Sequence, residues 1–307
     1  LSIEGKHVGA LVHFKSGVRT VNVKLASSFI GPEQAELNLQ REIGADAFEV
    51  TKEKARLAWE KILGRVQVQG GAETDKMNFY TALYRVMLFP RKFFEFDAKG
   101  QMVHYSPYNG QVLPGYMFTD NGFWDTFRAV FPLFSVLFPE LDSQIMQGLV
   151  NTYKESGWLP EWASPGHRDC MIGSNSASLV TEAWLKGIRG FDIETLYEAM
   201  VKNSQSVGPV ASVGRLGAEH YNRLGYVPYN VGINENTART LEYAYADYCI
   251  WQLGKKLGKP EAATFAKRAQ NWRNVFDKSS NFMRGRNADG SWQSPFRPDK
   301  WGDAFTE

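Results

Sequence analysis

The sequence predicts a mainly α-helical chain, an α/α toroid entered through a short β hairpin. Three observations carry that prediction. Apolar residues recur at helical spacing from Pro32 onward, the connections between helices alternate between short and long, and no strand is needed between them beyond brief loop pairings. No fixed repeat length recurs, which sets the chain apart from a solenoid of identical units.

The elements follow in order. His7–Phe14 and Val18–Leu25 alternate apolar and polar residues around the turn Lys15-Ser-Gly17, the pattern of a hairpin. Two strands cannot bury a core alone, so residues 1–30 read as the trailing edge of an upstream β domain and 31–307 as the helical domain. Gly31-Pro-Glu33 opens a helix to about Ile43, and Phe48–Leu63 forms the next, stopped by Gly64. Helical patterns continue at about 73–89, 126–137, 142–155, 175–188, 192–206, 235–257 and 260–278. Asp192 and Asn234 are the expected caps of their helices, and Gly258-Lys-Pro260 ends one helix and begins another. A loop pairing of Phe94–Phe96 with Val103–Tyr105 is expected around Lys99-Gly100.

Composition narrows the function classes. The 307 residues are 43% hydrophobic and 22% charged, an ordinary globular balance. A net charge of +2 without a Lys/Arg block argues against a nucleic-acid binder. No apolar run approaches the ~18 residues of a membrane span. Cys170 and Cys249 offer no Cys-x-x-Cys spacing for zinc and are expected to be free, small, buried residues. The chain opens at Leu1 and closes on Phe305-Thr306-Glu307, which reads as an internal fragment with any signal peptide outside it.

Aromatic content is 14%, with nine Trp, and two Trp-bearing loop segments stand out: Gly122-Phe-Trp-Asp-Thr-Phe-Arg128 and 157–173. Flat aromatic faces cover the apolar faces of a sugar ring, while Asp, Glu and Arg bind its hydroxyls. Trp124, Asp125, Arg128, Glu161, Trp162, Arg168 and Asp169 therefore form a candidate carbohydrate site. Asp125 has a competing structural role as a helix cap paired with Arg128. Glu161, between Pro160 and Trp162, shows no such capping role. Arg168 and Asp169 fit either sugar contact or a local ion pair opening a helix. The loop carboxylates Asp120, Asp125, Glu161, Asp169, Glu235, Asp303 and Glu307 could supply the acid and base of glycoside hydrolysis, and spacing alone does not choose among them. A Ser/His/Asp triad from Ser164 or Ser174 lacks the Gly-x-Ser-x-Gly elbow. His167, Asp169 and Cys170 lie too close in sequence to ligate one metal in good geometry.

Several segments together resemble glycoside hydrolase family 92: Tyr80-Thr-Ala-Leu-Tyr84, Phe123-Trp-Asp-Thr-Phe-Arg128, Trp158-Leu-Pro160, Asp169-Cys-Met-Ile-Gly173, Lys186-Gly-Ile-Arg-Gly-Phe-Asp192, Leu224-Gly-Tyr-Val-Pro228 and Arg239-Thr-Leu-Glu-Tyr-Ala-Tyr245. The resemblance is collinear over about residues 20–307. It implies a calcium-dependent, inverting exo-α-mannosidase with an N-terminal β-sandwich packed on an (α/α)6 barrel, of which this chain holds an incomplete part. It also implies that Trp124, Asp125 and Arg128 hold the terminal mannose. Phe305-Thr306-Glu307 matches the first half of the family's Thr-Glu-Gly-Asn-type motif, so Glu307 is the implied general acid. The catalytic base has no counterpart before residue 307. Most calcium ligands are expected downstream, so no metal ligand is assigned.

The implied partner is a mannose-containing glycan, met in the periplasm or outside the cell. Two alternatives stand beside this reading. One is another inverting (α/α)6 enzyme such as an α-glucosidase or a trehalase-like protein; the other is a sugar-binding relative without catalysis.

Overall fold

The computed structural model describes residues 5–305. The chain divides into two compact units, Leu1–Glu60 and Lys61–Glu307. In the first unit a turn closes where expected, with the Val18 N–H donating to the Lys15 carbonyl at 3.3 Å. The flanking segments form no ladder among the described residues, so the hairpin is only a turn between extended arms. The physical reason is that an isolated strand pair has no core to cover. Leu11, Val23 and Leu25 are each at least 80% exposed. Helix α1 (Pro32–Glu42) and helix α2 (Phe48–Leu63) follow at the expected positions, and neither fully buries a residue.

The second unit holds the core. Helix α3 (Glu73–Val86) leads into five short strands: β1 (Arg91–Lys92), β2 (Glu95–Phe96), β3 (Met102–Tyr105), β4 (Val112–Pro114) and β5 (Phe118–Thr119). The expected loop pairing is present, with Glu95 opposite Val103 and Phe96 opposite Met102, and β4 adds a third strand. Strand β6 (Asn121–Gly122) runs directly into the single turn α4 (Phe123–Thr126). Helices α5 (Val130–Leu137) and α6 (Pro139–Ser156) come next, then strand β7 (Trp162–Ala163), α7 (Ser176–Leu185) and α8 (Ile193–Asn203). After them come α9 (Ala218–Leu224), α10 (Asn236–Leu257) and α11 (Ala262–Arg268). A 3-10 turn at Asn271–Val275 precedes the pair β8 (Phe276–Asp277) and β9 (Phe282–Met283).

Local chemistry explains most boundaries. Asp192 caps α8 as expected, its carboxylate accepting the Thr195 N–H at 3.1 Å and the Thr195 hydroxyl at 2.7 Å. Gly258 closes α10 in the left-handed conformation, φ 71°. Asn234 is not the cap of α10. That helix begins at Asn236, and its free Thr237 and Ala238 N–H groups donate to the Ala304 carbonyl at 3.0 and 3.1 Å. A distant backbone oxygen thus does the work expected of a local side chain.

The core joins Phe123, Phe131, Phe134, Met146, Leu179, Leu196, Ile250 and Phe265, drawn from α4 through α11. Helix α10 buries residues around most of its circumference, from Arg239 and Tyr243 to Ile250 and Leu253. Small residues make this possible: a Cβ on Gly254 would lie 2.6 Å from the Tyr197 hydroxyl oxygen. No disulfide forms; Cys249 is buried, while Cys170 is only half-buried, short of the burial expected for both.

Candidate functional site

Two loop segments far apart in sequence are zipped into one ribbon. Strands β6 and β7 pair antiparallel, placing Asn121 opposite Ala163 and Gly122 opposite Trp162. The Phe123 N–H extends the ladder by donating to the Glu161 carbonyl at 3.0 Å. Gly122 is required by the close approach of the Trp162 indole, since a Cβ there would lie 2.3 Å from its Cε3. The ribbon therefore brings Trp162 of β7 beside Gly122, two residues before Trp124 at the start of α4.

On α4 the indole N–H of Trp124 donates to Glu242 Oε1 on α10 at 3.1 Å. Arg128 donates through Nε to the Trp124 carbonyl at 3.1 Å, lays its guanidinium 5.2 Å from that indole ring, and holds Nη2 4.0 Å from Glu242 Oε1. Glu242 also meets the side chain of Asn175. Burial raises its carboxyl above the usual carboxylate range, and the Trp124, Arg128 and Asn175 contacts oppose that rise. Sequence reasoning gave Glu242 no role. The only sequence signal is its place inside the Arg239–Tyr245 segment of the family resemblance, and its partner Trp124 lies 118 residues away.

The loop carboxylates now separate by their partners. Asp120 pairs with Arg91 at 2.9 Å and Glu235 with Arg239 at 2.9 Å. Asp303 accepts the Tyr229 hydroxyl at 2.8 Å. Asp169 accepts the Ser212 N–H at 2.9 Å and does not pair with Arg168. No helix begins at Arg168; its guanidinium stands 5.6 Å from the Trp162 ring. Glu161, read as a free loop carboxylate without a capping role, is instead 2% exposed and caps α7. Its two oxygens accept the Ser176 hydroxyl at 2.7 Å and the Ser176 N–H at 3.1 Å. Of the carboxylates in this group, Asp125 alone has no hydrogen-bond or charge partner among the described residues. Gly122 occupies the cap position of α4, and Arg128 turns toward Trp124 and Glu242. Asp125 stays exposed beside Trp124.

The segment 167–170 is held by local packing. His167 lies against the Tyr108 ring at 4.7 Å, and burial pushes its imidazole down to about 4, so it is neutral at pH 7. Among the described residues no group of three His, Cys, Asp or Glu side chains could hold a metal ion. Glu307 lies outside the described residues. The segment before it is well anchored: Ala304 is fully buried and its carbonyl closes the start of α10, about 9 Å along the helix axis from Glu242 at 1.5 Å per residue. A separate cavity of about 240 Å³ opens beside this segment, lined by Tyr229, Gln293, Arg297, Lys300 and Phe305. None of the ribbon residues lines it.

Comparison with known proteins decides the family. Residues 34–307 match the glycosyl hydrolase family 92 catalytic domain. The chain belongs to glycoside hydrolase family 92. The family 92 chain is similar to a solved family 92 inverting mannosidase of Bacteroides thetaiotaomicron VPI-5482. They share 50% identity and a TM-score of 0.89, over 91% of this chain and 38% of that one. A second family 92 α-mannosidase of Bacteroides thetaiotaomicron, solved in complex with mannoimidazole, is 32% identical with a TM-score of 0.79. The match covers 88% of this chain and 35% of that one. An uncharacterized secreted glycosidase of Arthroderma benhamiae is 29% identical over 304 residues, which is 94% of this chain and 35% of that protein. The family 92 chain thus spans between 35% and 38% of the length of these three proteins. Its mainly helical fold agrees with the family structures. No helix among the described residues is long and apolar enough to cross a membrane.

Proposed function

We propose that the protein containing this chain removes terminal α-linked mannose from glycans with inversion, using residues 31–307 as part of an (α/α)6 barrel joined to a β-sandwich. The observation that carries this reading is the 50% identity to an inverting family 92 mannosidase over 91% of the chain. Trp124 and Trp162 offer flat faces to the apolar side of the sugar. Asp125 accepts from a ring hydroxyl, since no protein group competes for its carboxylate. Arg128 and Arg168, each held over an indole, donate to hydroxyl oxygens. Glu161 and Asp169 are placed outside direct sugar contact, because their carboxylates already serve Ser176 and Ser212.

Glu307 is the proposed general acid, protonating the leaving oxygen. A second carboxylate, which the family resemblance places outside these 307 residues, activates water from the opposite face, about 6.5–9.5 Å from the acid. Family 92 chemistry implies calcium, which when bound would draw electron density from ring hydroxyls. The described residues assemble no site for it, so no step is derived through it. A periplasmic or secreted location is part of the proposal and is supported by the relative described as secreted.

The decisive experiment follows an α-linked mannobiose with the full-length protein by NMR. Inversion requires β-mannose as the first anomer; α-mannose first refutes it. Glu307→Gln in the same protein is expected to abolish turnover of the mannobiose, and wild-type rates would remove Glu307 as the acid. Activity unchanged by a chelator would remove calcium.

A further inference from the structure

Glu161 is the most deeply buried carboxylate near the ribbon, and the mechanism above gives it no chemical task. Its contacts reach both sides of the site. Its backbone carbonyl accepts the Phe123 N–H at 3.0 Å, one residue before Trp124. Its carboxylate takes both the N–H and the hydroxyl of Ser176, one residue after Asn175, whose side chain meets Glu242. The next residue, Trp162, packs its ring against Gly122. Above the ribbon, the Trp124 indole closes the circuit by bonding Glu242. Two arms separated by about fifty residues therefore share one buried fastening at Glu161 and one part-buried contact at Glu242.

We propose that Glu161 is a positioning residue, a buried tie that fixes the Trp124 arm and the Asn175–Glu242 arm of the sugar site relative to each other. The inference rests on the reading of this ribbon as a mannose site. A carboxyl suits the position because it offers two oxygens in a plane, one for the backbone N–H at the start of α7 and one for the hydroxyl. Arg215 is the charged group whose field reaches it, and the Tyr243 phenol lies within its influence. Burial raises the Glu161 carboxyl, and the contacts from the Ser176 hydroxyl, the Ser176 and Asn175 backbone and Arg215 oppose that rise. Misplacing a sugar-holding side chain by about 1 Å can cost a hundredfold in rate, so a tie of this kind bears on activity without touching substrate.

The test compares Glu161→Met with Glu161→Gln in the full-length protein. Met fills the volume and removes both acceptors; Gln keeps one acceptor and one donor in the same plane. Glu161→Met should lower kcat/KM on an α-linked mannobiose about tenfold or more, with KM carrying the larger share. It should also raise amide hydrogen exchange in both 118–127 and 170–180, and Glu161→Gln should restore both. A folded Glu161→Met protein with kcat/KM within twofold of wild type overturns the proposal. So does an exchange increase confined to 170–180, which is what a purely local helix cap predicts. If Glu161→Met does not fold, Ser176→Ala removes one bond from the opposite side and should raise exchange in the same two segments. Failure of the wild-type protein to release mannose would refute the mannosidase reading instead, and the exchange comparison still decides the tie.

Discussion

Gly122→Ala is the sharpest perturbation of the ribbon. The Gly122 backbone sits at φ −103° and ψ 121°, so alanine meets no conformational penalty there. The cost comes from contact alone. The added Cβ would stand 2.3 Å from Trp162 Cε3, 2.6 Å from Cζ3 and 3.0 Å from Cδ2, against ordinary contacts of about 3.5–4.0 Å between carbons. Three contacts on one rigid ring cannot all be relieved by a small torsion. Either the β6–β7 pair opens or the indole swings away, and then Arg168 loses its ring face. Overpacking of this kind costs about 1–3 kcal/mol, which for a domain of this size lowers Tm by about 2–12 °C. Thermal melts of the single variants, of Trp162→Leu and of the double variant form a cycle that isolates the clash. The double variant should be more stable than the summed single losses by about 1 kcal/mol or more. Additivity within ~0.3–0.5 kcal/mol would refute the argument that the glycine exists to admit the Trp162 ring.

Other expectations are shorter to state. Burial pushes the Glu161 carboxyl up to about 8 from the usual 4.5, so the folded state holds its proton over a range where the unfolded chain has released it. That contribution is fully present below about pH 4.5 and is lost as pH rises through about 8, with an upper bound on the order of 5 kcal/mol. Glu161→Gln should therefore flatten the fall in Tm between pH 6 and 9, and parallel curves for variant and wild type would contradict the assignment. Asp247 is fully buried, with Oδ1 2.8 Å from Arg215 Nη1, off the hydrogen-bond line, and Oδ2 accepting from Arg268 Nε at 2.9 Å. Asp247→Asn should cost about 3–5 kcal/mol in chemical denaturation by leaving Arg215 buried without its counter-charge; a loss below ~1 kcal/mol would show that the pair contributes little. Asp192→Ala should cost ~1 kcal/mol by uncapping α8, and kcat/KM should be unchanged because the cap is remote from the ribbon. A tenfold drop in kcat/KM would refute that separation.

What could be read from the chain followed from forces that act over a few residues. Asp192 declared a helix start because a side-chain oxygen three residues before a free N–H can reach it, and Gly258 declared a stop because glycine adopts the left-handed conformation without penalty. The Trp-bearing segments could be singled out as a candidate carbohydrate site from residue types alone. The hairpin at 7–25 misled for the same reason: alternation records a preference for a two-sided environment and carries no information on whether a covering surface is present. Short α9 escaped notice because only seven residues stand between Gly217 and Gly225, too few for a helical period to show.

The sequence alone determined the helical class, most helix boundaries, the family resemblance and the residue types of the site, all of which depend on local periodicity, capping and composition. Tertiary structure alone decided how those residues are used. Glu161 appears in the sequence as a free carboxylate between two aromatic neighbours, and only its burial against Ser176 makes it a tie. Asp125 could be read as a sugar contact or as a cap paired with Arg128, and only the turn of Arg128 toward Trp124 and Glu242 leaves its carboxylate without a partner among the described residues. Glu242 gave almost no signal, because its role depends on a contact with Trp124 across 118 residues. The physical reason is common to all three: a side chain's charge, exposure and reach are set by what packs against it, and those neighbours come from distant parts of the chain.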